Sequence, residues 1–97
     1  MPSAYLVMDT KIHDSVLYEK YKKLAKPIIE RFGGEYLVRG GTLHIDQSEL
    51  WSPSRLVLIK FESVEVAKSF LSSEVYRPVK AIRLSASEAT ISIVEGL

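Results

Sequence analysis

The sequence contains no cysteine, which excludes disulfide staples, thiolate nucleophiles and cysteine-based zinc sites. Nothing in it demands an oxidising compartment. An excess of one charge is also missing: 13 lysines and arginines nearly cancel 12 aspartates and glutamates, leaving a formal net charge of +1. That balance excludes a nucleic-acid clamp driven by bulk charge. Long apolar runs are absent too. The longest aliphatic stretch is Leu56–Ile59, far below the roughly 20 residues that span a bilayer. The first residues carry no basic leader, and their short apolar run stops at Asp9, which reads as a strand rather than a signal peptide. No metal-ligand spacing, nucleophile elbow, phosphate-binding loop or dinucleotide fingerprint occurs. The expectation is a soluble, cytoplasmic protein with no metal, no cofactor, and neither nucleic acid nor membrane as partner.

What is present is an ordinary globular composition: 97 residues, 46% of them hydrophobic and 26% charged. This predicts a single domain over residues 1–97. A chain of this size buries about two-thirds of its extended surface, and low hydrophobicity with high net charge, the mark of disorder, is missing.

Ala4–Met8 is rich in β-formers and apolar on both faces, which predicts a first strand. Asp14 is a good N-cap for a helix beginning at Ser15. Within it Leu17, Tyr21, Leu24, Ile28 and Phe32 recur at spacings of three and four and line one face; lysines and glutamates occupy the rest. Pro27 interrupts that stretch and predicts a kink. Gly33-Gly34 stops the helix. Glu35–Arg39 reads as strand two and Thr42–Asp46 as further strand, with Gly40-Gly41 between them as either a tight hairpin turn or a bulge in one long bent strand. Gln47–Ser54 is loop, and Arg55–Phe61 is the most apolar strand. Ser63 caps a second helix whose buried side is Val66, Ala67, Phe70 and Leu71. Ser73 caps a further helical segment carrying Tyr76, Val79, Ile82 and Arg83, and Thr90–Glu95 is the last strand.

The order is β-α-β-β-α-β, an α+β, ferredoxin-like pattern with four strands in one antiparallel sheet. Right-handed crossovers put both long helices on one face of that sheet. Strand one nevertheless offers Tyr5 and Val7 as well as Leu6 and Met8, and strand three offers Leu56 and Leu58 as well as Val57 and Ile59. A second face this apolar marks an interaction surface. The economical cover is a second copy of the chain, sheet against sheet, so the expected partner is a homodimer.

The run Gly33-Gly34-Glu35-Tyr36-Leu37-Val38-Arg39-Gly40-Gly41 resembles the signature of the bacterial family known as domain of unknown function 1330. Other matches fall in register: Asp14 with Tyr18 and Tyr21, Trp51 through Phe61, Ser63 through Ala67, Ser73 through Tyr76, Arg83, and Val94-Glu95-Gly96. The resemblance covers nearly the whole chain. It implies the dimeric α+β barrel fold with a sheet-to-sheet dimer, and it implies no established activity. It also favours the long bent second strand. The Thr42–Leu50 stretch, with His44 and a longer polar loop, departs from the family's usual pattern.

Among candidate site residues Arg39 leads, because flanking glycines such as Gly40 allow close approach and a guanidinium binds carboxylate or phosphate through paired donors. Tyr18, Tyr21, Tyr36 and Tyr76 could bring phenol hydroxyls to a pocket between helix and sheet. Tyr18 is the best placed of them, being offset from the main apolar stripe. Arg83 could complete an anion pocket with Arg39. The expected ligand is a small anionic or aromatic organic molecule held by Arg39, Gly40, Tyr18, Tyr36 and Arg83. The alternative is a cofactor-independent isomerase or lyase in the same pocket, with His44 or Tyr18 moving the proton. His13, before a helix N-terminus, reads as a loop residue.

Overall fold

A computed structural model describes residues 2–97. The strands are β1 (Ala4–Ile12), β2 (Glu35–Arg39), β3 (Leu56–Phe61) and β4 (Ser87–Glu95), and the helices α1 (Ser15–Arg31), α2 (Val64–Leu71) and α3 (Arg77–Ala86). The sheet order is β2-β3-β1-β4, with every neighbouring pair antiparallel. This is the α+β, ferredoxin-like arrangement expected from the element order.

Strand alternation divides the sheet into two faces. Ala4, Leu6, Met8 and Thr10 of β1 are buried, as are Val57, Ile59 and Phe61 of β3. Leu6, Met8, Val57, Ile59 and Phe61 meet Tyr18, Tyr21, Ala25, Ile28 and Ile29 of α1 and Ala67 and Phe70 of α2 in one core cluster. The residues between them, Tyr5, Val7, Leu56 and Leu58, lie on the other face and are only half-buried.

The helices follow local chemistry. Asp14 Oδ1 accepts from Leu17 N at 3.0 Å and Ser63 Oγ from Val66 N at 3.2 Å, satisfying orphan donors at the starts of α1 and α2. Ser73 acts one turn earlier than expected for α3: its Oγ accepts from Tyr76 N at 3.3 Å and donates to Phe70 O at 2.8 Å, closing the turn before the helix. Gly33 ends α1 with φ 78°, and its N–H reaches Glu30 O.

Several expectations are corrected. The buried side of α1 is centred on Tyr18, Tyr21, Ala25, Ile28 and Ile29, while Leu24 is 41% exposed. Small Ala25 and neighbouring Ile29 bring that side close to the sheet, turning Leu24 outward. The helix runs through Pro27 without interruption; Pro27 lies on the exposed side, where the carbonyl left without its usual donor can meet water. β1 continues to Ile12 and β4 begins at Ser87, because the two pair along their whole length from Ala4↔Glu95 to Ile12↔Ser87. Thr42–Asp46 is not strand. Residues 41–55 form an irregular, mostly exposed loop, since the chain leaves the sheet at Gly40 and no strand runs beside it there.

The glycine pair is therefore neither a hairpin turn nor a bulge in a long bent strand. The bulge sits three residues earlier, between Tyr36 and Val38 of β2. Gly40 takes φ 72° and donates its N–H to Leu56 O at 2.8 Å, ending the strand.

Candidate functional site

The bulge decides what β2 presents. Tyr36 pairs with Ile59 and Arg39 with Val57, both helix-side residues, while Val38 pairs with Leu58 on the open face. In a regular strand, residues three apart point to opposite faces; the extra residue at Leu37 puts Tyr36 and Arg39 on the same one. Arg39 then lies with its guanidinium carbon 4.7 Å from the Tyr36 ring centre, and its Nη2 donates to Lys22 O of α1 at 3.3 Å. That contact spans the gap between sheet edge and helix.

Behind Arg39 is a cavity between α1 and the sheet. Its walls include Tyr18, Tyr21, Tyr36, Arg55 and Lys22, with Met8, Ile29, Val57 and Ile59 as the apolar floor. The free volume is about 20 Å³, room for a water molecule. Arg55 enters from the end of the loop. Its backbone N–H donates to Asp9 Oδ1 at 3.0 Å, its carbonyl accepts from Thr10 N at 3.0 Å, and its Nη1 reaches Tyr18 Oη at 3.4 Å. Its guanidinium carbon lies 5.3 Å from the Tyr18 ring centre, a cation–π distance. Gly40 makes this possible, because a Cβ there would stand 2.6 Å from Arg55 Nε.

A second layer lies deeper. Tyr21 Oη and Tyr76 Oη are 2.8 Å apart, and Arg83 Nε reaches Tyr76 Oη at 3.4 Å. Arg83 is only 4% exposed. The ion pairs among the described residues are Lys22–Glu19, Lys26–Glu30 and Arg77–Glu74. Arg39, Arg55 and Arg83 thus have no carboxylate partner among the described residues. Burial, reinforced by Tyr76 beside it, pushes the Tyr21 hydroxyl well above the usual phenol range. Burial likewise pushes Tyr36 up to about 12, although the Arg39 charge pulls the other way.

The four tyrosines considered as pocket residues come together here, as do Arg39 and, through Tyr76, Arg83. Gly40 is not part of the wall; it clears space for Arg55. His44 stands in the exposed loop, and neither it nor His13 lines the cavity. Arg55 is the residue sequence reading missed. Its position beside a strand start gave no signal, because its partner Gly40 is distant along the chain and adjacent only after β2 pairs with β3. Thr10 Oγ1, on the same side of the sheet as Met8, is buried without a hydrogen-bond partner among the described residues. Among the described residues no three of His, Asp and Glu gather as a metal-binding group, and no helix is long and apolar enough to cross a membrane.

Asp9 organises the opposite face. It accepts from Trp51 Nε1 at 2.8 Å and from Ser54 N at 2.8 Å, as well as from Arg55 N. Burial tends to raise its carboxyl, but these donors outweigh that effect and hold it below its usual value. The loop end that delivers Arg55 to the cavity is thereby fixed to β1.

With this geometry in hand, residues 3–97 match the family described as Domain of unknown function (DUF1330). The chain belongs to that family. No curated protein matches the sequence. The fold resembles a protein of unknown function from Rhodopseudomonas palustris, with TM-score 0.79 and 16% identity over 99% of this chain and 83% of that one. It also resembles SnoaB, a cofactor-independent oxygenase from Streptomyces nogalater, with TM-score 0.69 and 12% identity over 97% and 92% of the two chains. A conserved protein from Methanosarcina mazei Go1 is similar at TM-score 0.61 and 15% identity, over 100% and 95%. At these identities the likeness is one of fold, and this DUF1330 chain shares the α+β, ferredoxin-like fold of these proteins.

Proposed function

We propose that the protein is a homodimer, sheet against sheet, in which each chain binds a small anionic or aromatic organic molecule in the cavity between α1 and the sheet. The observation that carries the ligand reading is the set of arginines, Arg39 at the mouth, Arg55 in the wall and Arg83 behind, gathered around tyrosines with no carboxylate partner among the described residues. Arg83 is buried and Arg55 half-buried; cations so placed without a counter-ion are electrostatically costly. Exposed Arg39 adds a donor at the entrance, and an anionic ligand supplies the missing charge. Arg39 releases Lys22 O to admit it, since the cavity as closed has room for a water only. Gly40, Tyr18 and Tyr36 complete the set by spacing Arg55 and walling the cavity. Support for the dimer comes from the open face, where Tyr5, Val7, Leu56, Leu58, Val38 and Val94 form an apolar surface that two-fold packing would bury. The ligand reading is tested by screening small carboxylates and phenols for thermal stabilisation of the wild type and Arg39→Ala. Anions should stabilise the wild type alone, and equal stabilisation of both proteins removes Arg39 from the site.

A second reading is a cofactor-independent enzyme acting on the same molecule, of isomerase or lyase type. Its support is the likeness in fold to SnoaB together with Tyr18, a phenol beside the cavity. Turnover abolished by Tyr18→Phe would assign the proton transfer to Tyr18, since His44 stands outside the cavity; binding without turnover leaves the binding protein.

A further inference from the structure

The direction of the deep hydrogen bonds follows from counting protons. Arg83 Nε reaches Tyr76 Oη at 3.4 Å, and a guanidinium can only donate, so Tyr76 accepts there. Tyr76 is 1% exposed, and the acceptor within reach of its own proton among the described residues is Tyr21 Oη, at 2.8 Å. If Tyr76 accepted from Tyr21 as well, its proton would be buried without an acceptor, a costly arrangement. The bonds therefore run from Arg83 through Tyr76 to Tyr21, and the Tyr21 proton is left over. Tyr21 lines the cavity and donates to no other group among the described residues. Tyr18 ends in the same way. Arg55 Nη1 donates to its oxygen, leaving a second phenolic proton beside the same cavity, with the two rings 5.2 Å apart.

We infer that the cavity is an oxyanion-binding site in which Tyr18 and Tyr21 donate to the ligand, while Tyr76 and Arg83 are positioning residues that keep Tyr21 donating. This rests on the anionic-ligand reading above and narrows its chemistry. The cavity wall has no histidine and no carboxylate among the described residues, so it offers donors and positive charge but no base. Burial keeps the wall's own phenols neutral, so an ionised oxygen acid is favoured only where its oxygen takes the two phenolic protons and faces the guanidinium groups. A carboxylic acid is already ionised near neutrality and gains nothing in protonation state. A phenol or enol does gain, losing its proton to solvent as it binds. The ligand is therefore an oxyanion, a carboxylate that arrives ionised or a phenolate or enolate formed on binding, with a second acidic oxygen welcome at Arg39, and the weak acid is the one whose protonation state reports the site.

The test uses 4-nitrophenol, whose visible absorption separates anion from neutral form, with benzoate as the carboxylate control. Bound to the wild type, 4-nitrophenol should ionise at a pH about one unit below the free compound, a tenfold preference for the anion. Tyr76→Phe keeps the ring and should return that midpoint at least halfway to the free value. Tyr21→Phe should return it at least as far, and Arg83→Lys, which keeps a charged donor, should stay nearer the wild type than Arg83→Met. Should Tyr76→Phe lose its cooperative melting, Tyr21→Phe and the Arg83 pair carry the same readout. A bound midpoint equal to the free one, or one that Tyr76→Phe and Tyr21→Phe leave in place, overturns the inference. Benzoate affinity that Tyr21→Phe and Tyr76→Phe both leave unchanged overturns it too while sparing the anion-binding reading; binding of neither compound overturns both.

Discussion

Arg39 and Tyr36 stack on one face of β2, guanidinium carbon to ring centre 4.7 Å, although they are three residues apart in a strand. The Leu37 bulge makes this possible, and through it the edge strand delivers a cation to the mouth of the cavity. Everything proposed for the site depends on that placement.

Replacing Arg39 by alanine should weaken binding of anionic ligands at least tenfold, about 1.4 kcal/mol or more, with little change in melting because the side chain is exposed. Arg39→Lys should recover only part of the loss, since a point charge lacks the paired donors of the fork. Isothermal calorimetry with a carboxylate or phenolate found by screening is the check. Equal affinities in all three proteins would contradict it.

Leu58→Glu should dissociate the proposed dimer. Leu58 sits mid-strand on the open face, opposite Val7 of β1 and Val38 of β2, so a carboxylate there meets the partner rather than the chain's own helices. Light scattering should report half the wild-type mass. A variant that remains dimeric with unchanged melting removes this face from the interface.

Gly40→Ala should cost about 1–3 kcal/mol in urea unfolding, because a non-glycine residue is strained at positive φ and an added methyl would displace a packed side chain. It should also reduce anion binding, since the group displaced is the Arg55 guanidinium. Loss of stability with anion affinity intact would separate Gly40 from the site.

The Asp9 carboxyl is held below its usual value, so its ionised form is favoured in the folded state. The sign is then fixed: its contribution to stability is present above the unfolded value and is lost as pH falls through the lower folded value. Trp51, the only tryptophan, donates to this carboxylate and reports on it. Its emission should change as pH falls below the usual carboxylate range and should already be changed at neutral pH in Asp9→Ala. An emission spectrum unaltered in Asp9→Ala would show that the contact does not hold the indole.

At the alkaline end the sign reverses. Tyr21 and Tyr36 are raised above the ordinary phenol value of 10, so stability is intact below pH 10 and falls as pH rises through the folded values. Ultraviolet titration should show part of the tyrosine signal appearing only near pH 12 or with unfolding. Complete reversible ionisation close to pH 10 would mean that the buried phenols are reached by water.

The element order was legible because strong signals coincide: Asp14 and Ser63 cap helices, Gly33 ends one, and Leu56–Ile59 is a β-branched and aliphatic run. The split of Tyr5, Val7, Leu56 and Leu58 from their neighbours across two faces was legible by alternation. The loop failed differently. Leu43 and Ile45 alternate with polar residues as in a strand, but alternation does not create a neighbouring strand. β1 was read short because Asp9, Thr10 and Lys11 look like loop residues, and only pairing with β4 holds them extended. The gathering of tyrosines was visible as a possibility. The layered order of Arg83, Tyr76 and Tyr21 was not, because it depends on how α3 packs against α1.

The bulge at Leu37 has a consequence for how β2 can vary. Tyr36 before it and Arg39 after it serve the cavity, with Val38 between them on the open sheet. Drawing Leu37 into the ladder as a regular strand residue would exchange the faces of Val38 and Arg39, placing a cation where an apolar partner surface is expected and a valine at the cavity mouth. Substitutions within β2 can alter one role at a time, whereas straightening the bulge disturbs both. Register, more than composition, is the constrained property of this edge strand.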